Sequence, residues 1–206
     1  MNIVILAGGV GTRLWPLARK NSAKQFFPIM SEEPMVCQAY NRFIKTYKKE
    51  KIFFSTTKDL LPQLKKLFPK IPSSQFIVEP SRRDTAGAMG FVAAALYLKD
   101  PDEPMVFVPS DHYIENQEKF LACFKVGEEI INKTGMMVDV GIVADFPSTV
   151  LGYTKIGKLI KNYQGTEVYE FKGHTEKPDL KTATKYLAQG SYLWHGNYYM
   201  WTPRKF

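Results

Sequence analysis

Three observations predict an α/β fold. Short apolar runs alternate with helical patterns along the first half of the chain. Three unusual polar stretches, "AGGVGTR", "EPSRRDTAG" and "VPSDHYI", each follow the end of such a run. The composition, 45% hydrophobic with 14% aromatic residues, is ample for a sizeable core.

Taken in order, strands are expected over Asn2–Leu6, Lys51–Thr56, Gln75–Glu79 and Met105–Pro109, and helices over Pro34–Tyr47, Leu60–Phe68 and Thr85–Leu98. This βαβ alternation predicts a parallel sheet with helices on both faces. Sites in such sheets form outside the carboxyl ends of the strands. The three polar stretches are therefore expected to meet at one rim. After Met136–Ala144 the pattern changes. "STVLGYTKIGKLI", "TEVYEFKGHTEKPD" and "SYLWHGNYYMW" read as strands and loops, with a helix over Leu180–Ala188. This second half is expected to form the far wall of a cleft in the same domain. With 206 residues, one domain is the default.

The net charge of +8 admits an anionic partner. Its basic residues are spread: Lys48, Lys49 and Lys51 form a short cluster, and Lys65 and Lys66 another. A solvated face explains them better than a nucleic-acid patch, so no nucleic acid is expected. Cys37 and Cys123 lie far apart and read as reduced, buried thiols of a cytoplasmic protein. His112, His174 and His195 are too scattered for a zinc motif. The opening apolar run is too short for a signal peptide, and no stretch has the length of a membrane span.

Gly8, Gly9 and Gly11 follow the first apolar run. Glycine allows φ > 0 and close approach of a ligand, and amides in such a loop converge on an anion. Arg13 and Lys24 add positive charge. A polyphosphate site results, but not a Walker loop, whose lysine is missing, nor a dinucleotide fingerprint, whose third glycine falls at Leu14. An ordinary glycine turn explains "GGVGTR" alone as well. The longer string "LAGGVGTRLWPL…KQF" is far more specific.

With "EPSRRDTAGA", "VPSDHYI", "GYTKIG", "EKPD" and "YLW" in order, the chain resembles the sugar-1-phosphate nucleotidyltransferases, and within them the mannose-1-phosphate guanylyltransferases. The resemblance runs from Asn2 to about Thr202. It implies a Rossmann-like nucleotidyltransferase (GT-A-like) fold, a mixed, mostly parallel sheet flanked by helices. It implies a reaction in which GTP and mannose-1-phosphate give GDP-mannose and pyrophosphate. Leu6, Ala7, Gly8, Gly9, Gly11 and Thr12 would surround the triphosphate. Arg13 would neutralise the departing pyrophosphate, and Lys24 would sit near the α-phosphate. Asp111 would be a catalytic Mg²⁺ ligand, whereas His112 reads as structural. Glu79 would face the base; a carboxylate there can accept both N1–H and N2–H of guanine. Arg83, Asp84 and Thr85 belong to the same nucleotide loop, with Asp84 or Thr85 also capping the helix that follows. Gly152, Tyr153, Glu176, Lys177 and His195 would form the wall for the sugar phosphate. Asp179 is an N-cap candidate, and Trp194 reads as packing.

The chain departs from the family pattern at four places. Ala23 replaces a proline, which is expected to loosen its turn, and Asp84 replaces an asparagine. His195 stands where an asparagine would contact the sugar. The family's second metal-binding aspartate has no match, since no Asp or Glu follows Asp179. The 206 residues are thus expected to be a nucleotidyltransferase domain lacking its C-terminal part. Two alternatives stay open: a non-catalytic, regulatory sugar-nucleotide-binding homologue, and a transferase for another hexose-1-phosphate. A homodimer is open as well.

Overall fold

The computed structural model describes residues 1–9, 11, 14–18, 23–29 and 31–206. Four strands, β1 (Asn2–Leu6), β2 (Ile52–Thr57), β3 (Phe76–Glu79) and β4 (Met105–Pro109), lie parallel in the order β3-β2-β1-β4. Each is an apolar run buried on both faces, which is why they read as continuous rather than alternating patterns. The register pairs Leu6 with Ser55 and with Pro109, and Thr57 with Glu79. The carboxyl ends of all four strands therefore share one rim, as the sequence predicts.

Helices cover both faces. On one face α1 (Met35–Phe43), α2 (Leu61–Leu67) and α4 (Gln117–Thr134) enclose a core of Ile3, Ile5, Phe54, Val106 and Val108. Phe54 is the aromatic hub of that face, its ring 4.7–5.9 Å from those of Tyr40, Phe68 and Phe76. On the other face α3 (Asp84–Tyr97) packs Met89, Val92, Ala93 and Leu96 against Val4, Phe53 and Phe107.

The second half extends the same sheet with antiparallel strands. β8 (Tyr192–Trp201) pairs with β4 at Trp201 and Met200. Beyond it lie β6 (Tyr153–Tyr163) and β7 (Thr166–Thr175), while β5 (Val138–Val143) runs along the other edge of β8. Because β8 is antiparallel to β4, its earlier residues rise past the carboxyl end of β4 towards the rim. α5 (Leu180–Gln189) packs on this extension, Tyr186 stacking on Tyr192 at 3.7 Å. Asp179 caps it by accepting from the Thr182 amide at 2.7 Å, as predicted.

Two expectations are corrected here. α4 is absent from the expected helices, although Asn116 caps it and Gly135 ends it in the left-handed conformation. The two cysteines are free thiols but half-buried, not buried; burial, then Glu33, pushes Cys37 up to about 11. Among the described residues no helix is long and apolar enough to cross a membrane.

Truncating the hub should test this packing. Phe54→Ala is expected to lower unfolding stability by about 3–5 kcal/mol, read as a shift of the urea midpoint at constant slope. A loss under about 1 kcal/mol would mean the core does not depend on it.

Candidate functional site

The glycine loop leaves β1 in a fixed direction because the last carbonyls before it are occupied. Ser110 donates to the Leu6 carbonyl at 2.6 Å. The Ala7 carbonyl accepts from Gln25 Nε2 at 3.0 Å and from Thr56 Oγ1 at 3.2 Å, and the Ala7 amide donates to Ser55. Gln25 is buried, so its bond docks the short 3₁₀ turn Lys24–Phe26 against the loop. That bond places Lys24. At Gly11, φ is +74°, and a side chain there would lie within 2.6–2.8 Å of the Lys24 stem. Glycine is thus required twice at this position, by its conformation and by the lysine beneath it. Ala23 enters the turn at φ −70°, the value a proline would impose.

Lys24 Nζ forms an ion pair with Asp111 Oδ2, the carboxylate just past the end of β4. His112, next to it, is spent on structure, as expected. Its Nδ1 meets the Tyr198 hydroxyl of β8 at 2.5 Å, and burial lowers its pKa. Arg42 of α1 donates through Nη2 to the His112 carbonyl at 3.3 Å. Arg42 is only 3% exposed, and its Nε and Nη1 have no partner among the described residues.

Glu79 ends β3 beside the loop. A side chain at Gly8 would come 3.3 Å from its Oε1. Glu79 is 7% exposed and accepts from Ser55 Oγ at 3.3 Å. Burial raises its pKa; the Ser55 hydroxyl and the Arg82 charge pull the other way. After Glu79 the chain turns into α3. The expected side-chain cap is not made: Arg83 is the N-cap residue and has no capping bond. Asp84 is the first residue inside the helix, at φ +56°, and not its N-cap. Arg83 instead folds over the first turn, its Cβ occupying the space a side chain at Gly87 would need. Arg83, Asp84 and Thr85 are exposed at the rim. Thr12 and Arg13 lie outside the described residues.

The second group gathers on β6, β7 and β8. The ends of the His174 and Glu176 side chains close over Gly152, where a Cβ would meet them at 2.7–3.0 Å and push them aside. Glu176 Oε1 bonds Lys177 at 2.6 Å, and this bond, with weaker help from His174, holds its carboxyl below the usual range. His195 donates its amide to the Gly152 carbonyl at 2.8 Å. Its ring is built into the wall. Nε2 meets the Tyr199 hydroxyl, while Nδ1 lies 3.1 Å from Asp139 Oδ2 and 3.4 Å from the Asn197 amide. Its side chain is 7% exposed, so both ring nitrogens have partners inside the protein.

A bulge makes this possible. Four residues along a strand span about 13 Å, yet His195 and Tyr199 touch. Between the pairs Asp139–Tyr199 and Gly141–His195, β5 advances two residues while β8 advances four. Asn197 takes φ +59°, and Gly196 fits because a Cβ would lie 2.8 Å from the Val140 carbonyl. Tyr153, expected at this wall, is fully buried. Its hydroxyl donates to the Ser148 carbonyl at 3.1 Å and its ring packs on Tyr186, so it holds β6 rather than facing a ligand. Trp194 packs edge-on against Phe146, as expected.

The structure thus brings the glycines, Lys24, Asp111 and Glu79 to one rim, and Gly152, Glu176, Lys177 and His195 to an adjoining wall. Sequence reasoning missed Gln25, Asp139, Tyr199 and Arg42. Gln25 stood within the quoted "KQF" and Tyr199 within "SYLWHGNYYMW"; Asp139 and Arg42 carried no motif.

Comparison with known proteins fits this arrangement. The model of a family described as nucleotidyl transferase matches residues 2–201. The chain is 32% identical, over 98% of its length, to a mannose-1-phosphate guanylyltransferase of Escherichia coli, of which it covers 43%. It is 31% identical over 98% to mannose-1-phosphate guanylyltransferase ManC of Salmonella typhimurium, covering 43%. The chain therefore spans less than half the length of these curated relatives. A crystal structure from Thermus thermophilus, titled mannose-1-phosphate geranyltransferase, superposes with TM-score 0.85 at 26% identity, over 98% of this chain and 57% of that one. An apo UDP-glucose pyrophosphorylase shares the fold alone, with TM-score 0.66 at 15% identity over 98% of this chain and 77% of that one. With the family model spanning nearly every residue from β1 to β8, the chain belongs to the nucleotidyl transferase family.

Proposed function

We propose that this chain carries the site that makes GDP-mannose and pyrophosphate from GTP and mannose-1-phosphate. The observation that carries the reading is the meeting of the Gly8–Gly11 loop, the Lys24–Asp111 pair and Glu79 at one rim. The similarity to guanylyltransferases supports the choice of base and sugar.

In this reading an oxygen of the sugar phosphate attacks the α-phosphorus of GTP. The new P–O bond forms as the bond to the β-phosphate breaks, and pyrophosphate carries the charge away. Both reactants are anions, so the protein's task is positioning and charge compensation. Loop amides hold the triphosphate. Arg13 meets its β/γ end. Lys24, held by Gln25 and Gly11, draws the two phosphates together. Glu79 reads the guanine edge, and Glu176 and Lys177 receive the hexose hydroxyls and its phosphate.

The donor set also fits Mg²⁺. Asp111 offers a hard carboxylate oxygen just past the strand end, beside Lys24, the kind of ligand Mg²⁺ takes together with substrate phosphates and water. Bound there by Asp111, Mg²⁺ would neutralise phosphate charge.

Pyrophosphate release, measured over a panel of nucleoside triphosphates and hexose-1-phosphates, tests the proposal. GTP with mannose-1-phosphate should give the highest kcat/KM. No release with any pair, alongside tight GDP-mannose binding, would favour the non-catalytic reading. Lys24→Met should lower kcat by about 10²–10³; an unchanged kcat would remove its role.

Glu79→Gln gives a second test. It should cost GTP about 1.5–3 kcal/mol of kcat/KM, the worth of a hydrogen bond to a charged group, and cost ATP little. Because burial raises the Glu79 pKa, its ionised form is the costly one in the folded state. That cost is absent below the unfolded pKa and grows as pH rises through the folded one. At neutral pH Glu79→Gln should therefore unfold at no lower temperature than the wild type, with any advantage vanishing below about pH 4. A lower melting temperature at neutral pH would contradict the burial argument.

A further inference from the structure

Arg42 is the least economical residue near the site. Exposed arginines lay their stems on apolar surface and keep the guanidinium in water. Arg42 does the opposite. Its guanidinium lies 5.6 Å from the Phe120 ring, inside the protein, with Nε and Nη1 unpartnered among the described residues. Burial lowers its pKa, the mark of a charge held where the fold gains little from it. Besides its place over the Phe120 ring, the guanidinium makes one hydrogen bond among the described residues, to the carbonyl of His112.

That carbonyl belongs to the residue after Asp111. The same residue is tied on its other side, where the His112 ring meets Tyr198 of β8. Tyr198 is in turn wedged between Phe120 and Phe124 of α4. The short loop bearing Asp111 is thus clamped between α1 and β8. Nothing else among the described residues bonds the His112 carbonyl. We infer that Arg42 is a positioning residue: it fixes the backbone after Asp111 so that the carboxylate stays facing Lys24 and the phosphates.

This inference rests on the nucleotidyl-transfer reading of the rim for its functional consequence, but its structural part is measured separately. Amide hydrogen exchange over residues 109–114 reads the clamp with no substrate present. In Arg42→Met, exchange there should speed by about tenfold, the worth of one lost hydrogen bond, while β1 and β2 keep their protection. The melting temperature should stay within about 4 °C of the wild type, a change of order one hydrogen bond in a chain this size. In the transfer assay, Arg42→Met should lower kcat about tenfold and raise the Mg²⁺ concentration for half-maximal rate, leaving the KM for GTP within twofold. Arg42→Lys, which keeps one charged donor, should recover part of both effects. Unchanged exchange over 109–114 in Arg42→Met would overturn the inference. So would faster exchange throughout the sheet with a large fall in melting temperature, since Arg42 would then serve the fold as a whole. A wild type that transfers nothing, with exchange at 109–114 still governed by Arg42, would remove the reaction and leave the clamp.

Discussion

The rim is organised by hydrogen bonds to two carbonyls. Leu6 ends β1 and Ala7 follows it, and side chains from three stretches of the chain bond their carbonyls: Ser110 after β4, Thr56 in β2, Gln25 in the 3₁₀ turn. Buried carbonyls without such partners would be costly. Satisfying them forces three segments together at the point where the glycines begin. The chain is thereby anchored up to Ala7, where the glycines begin. The lysine, the aspartate and the glutamate of the candidate site all belong to the segments, or to the strand next to the segments, that these bonds recruit.

The charges gathered there are mutually compensating. Lys24 neutralises Asp111, and Ser55 and Arg82 partly offset the burial of Glu79. On the adjoining wall Lys177 balances Glu176. An incoming anion and its counter-ion would exchange partners with groups already paired. In the same wall His195 is engaged through its amide and both ring nitrogens.

Much of the parallel half was legible in the sequence because buried parallel strands are continuous apolar runs, and those runs were plain. The polar stretches at their ends then had to converge. α4 escaped although its buried positions, Leu121, Phe124, Gly127 and Ile131, keep helical spacing and Asn116 and Gly135 mark its ends; the weak point of its pattern is Gly127, a poor helix former on the buried face. The bulge in β8 escaped for a different reason. It adds an even number of residues, so the alternation of "YLWHGNYYMW" survives it. A period-two pattern cannot report an insertion of two. Tyr153 was misplaced because its motif, "GYTKIG", marks a segment and not the direction in which each side chain points. The cap at α3 failed because Asp84 adopts a backbone conformation that propensity does not favour.

The contact between Gly11 and the stem of Lys24 carries an evolutionary consequence. The atoms that exclude a side chain at position 11 belong to another residue of the protein, not to a substrate. Drift at either position is therefore filtered by its partner. A bulkier residue at 11 would need both a shorter stem at position 24 and a loop that leaves its left-handed conformation.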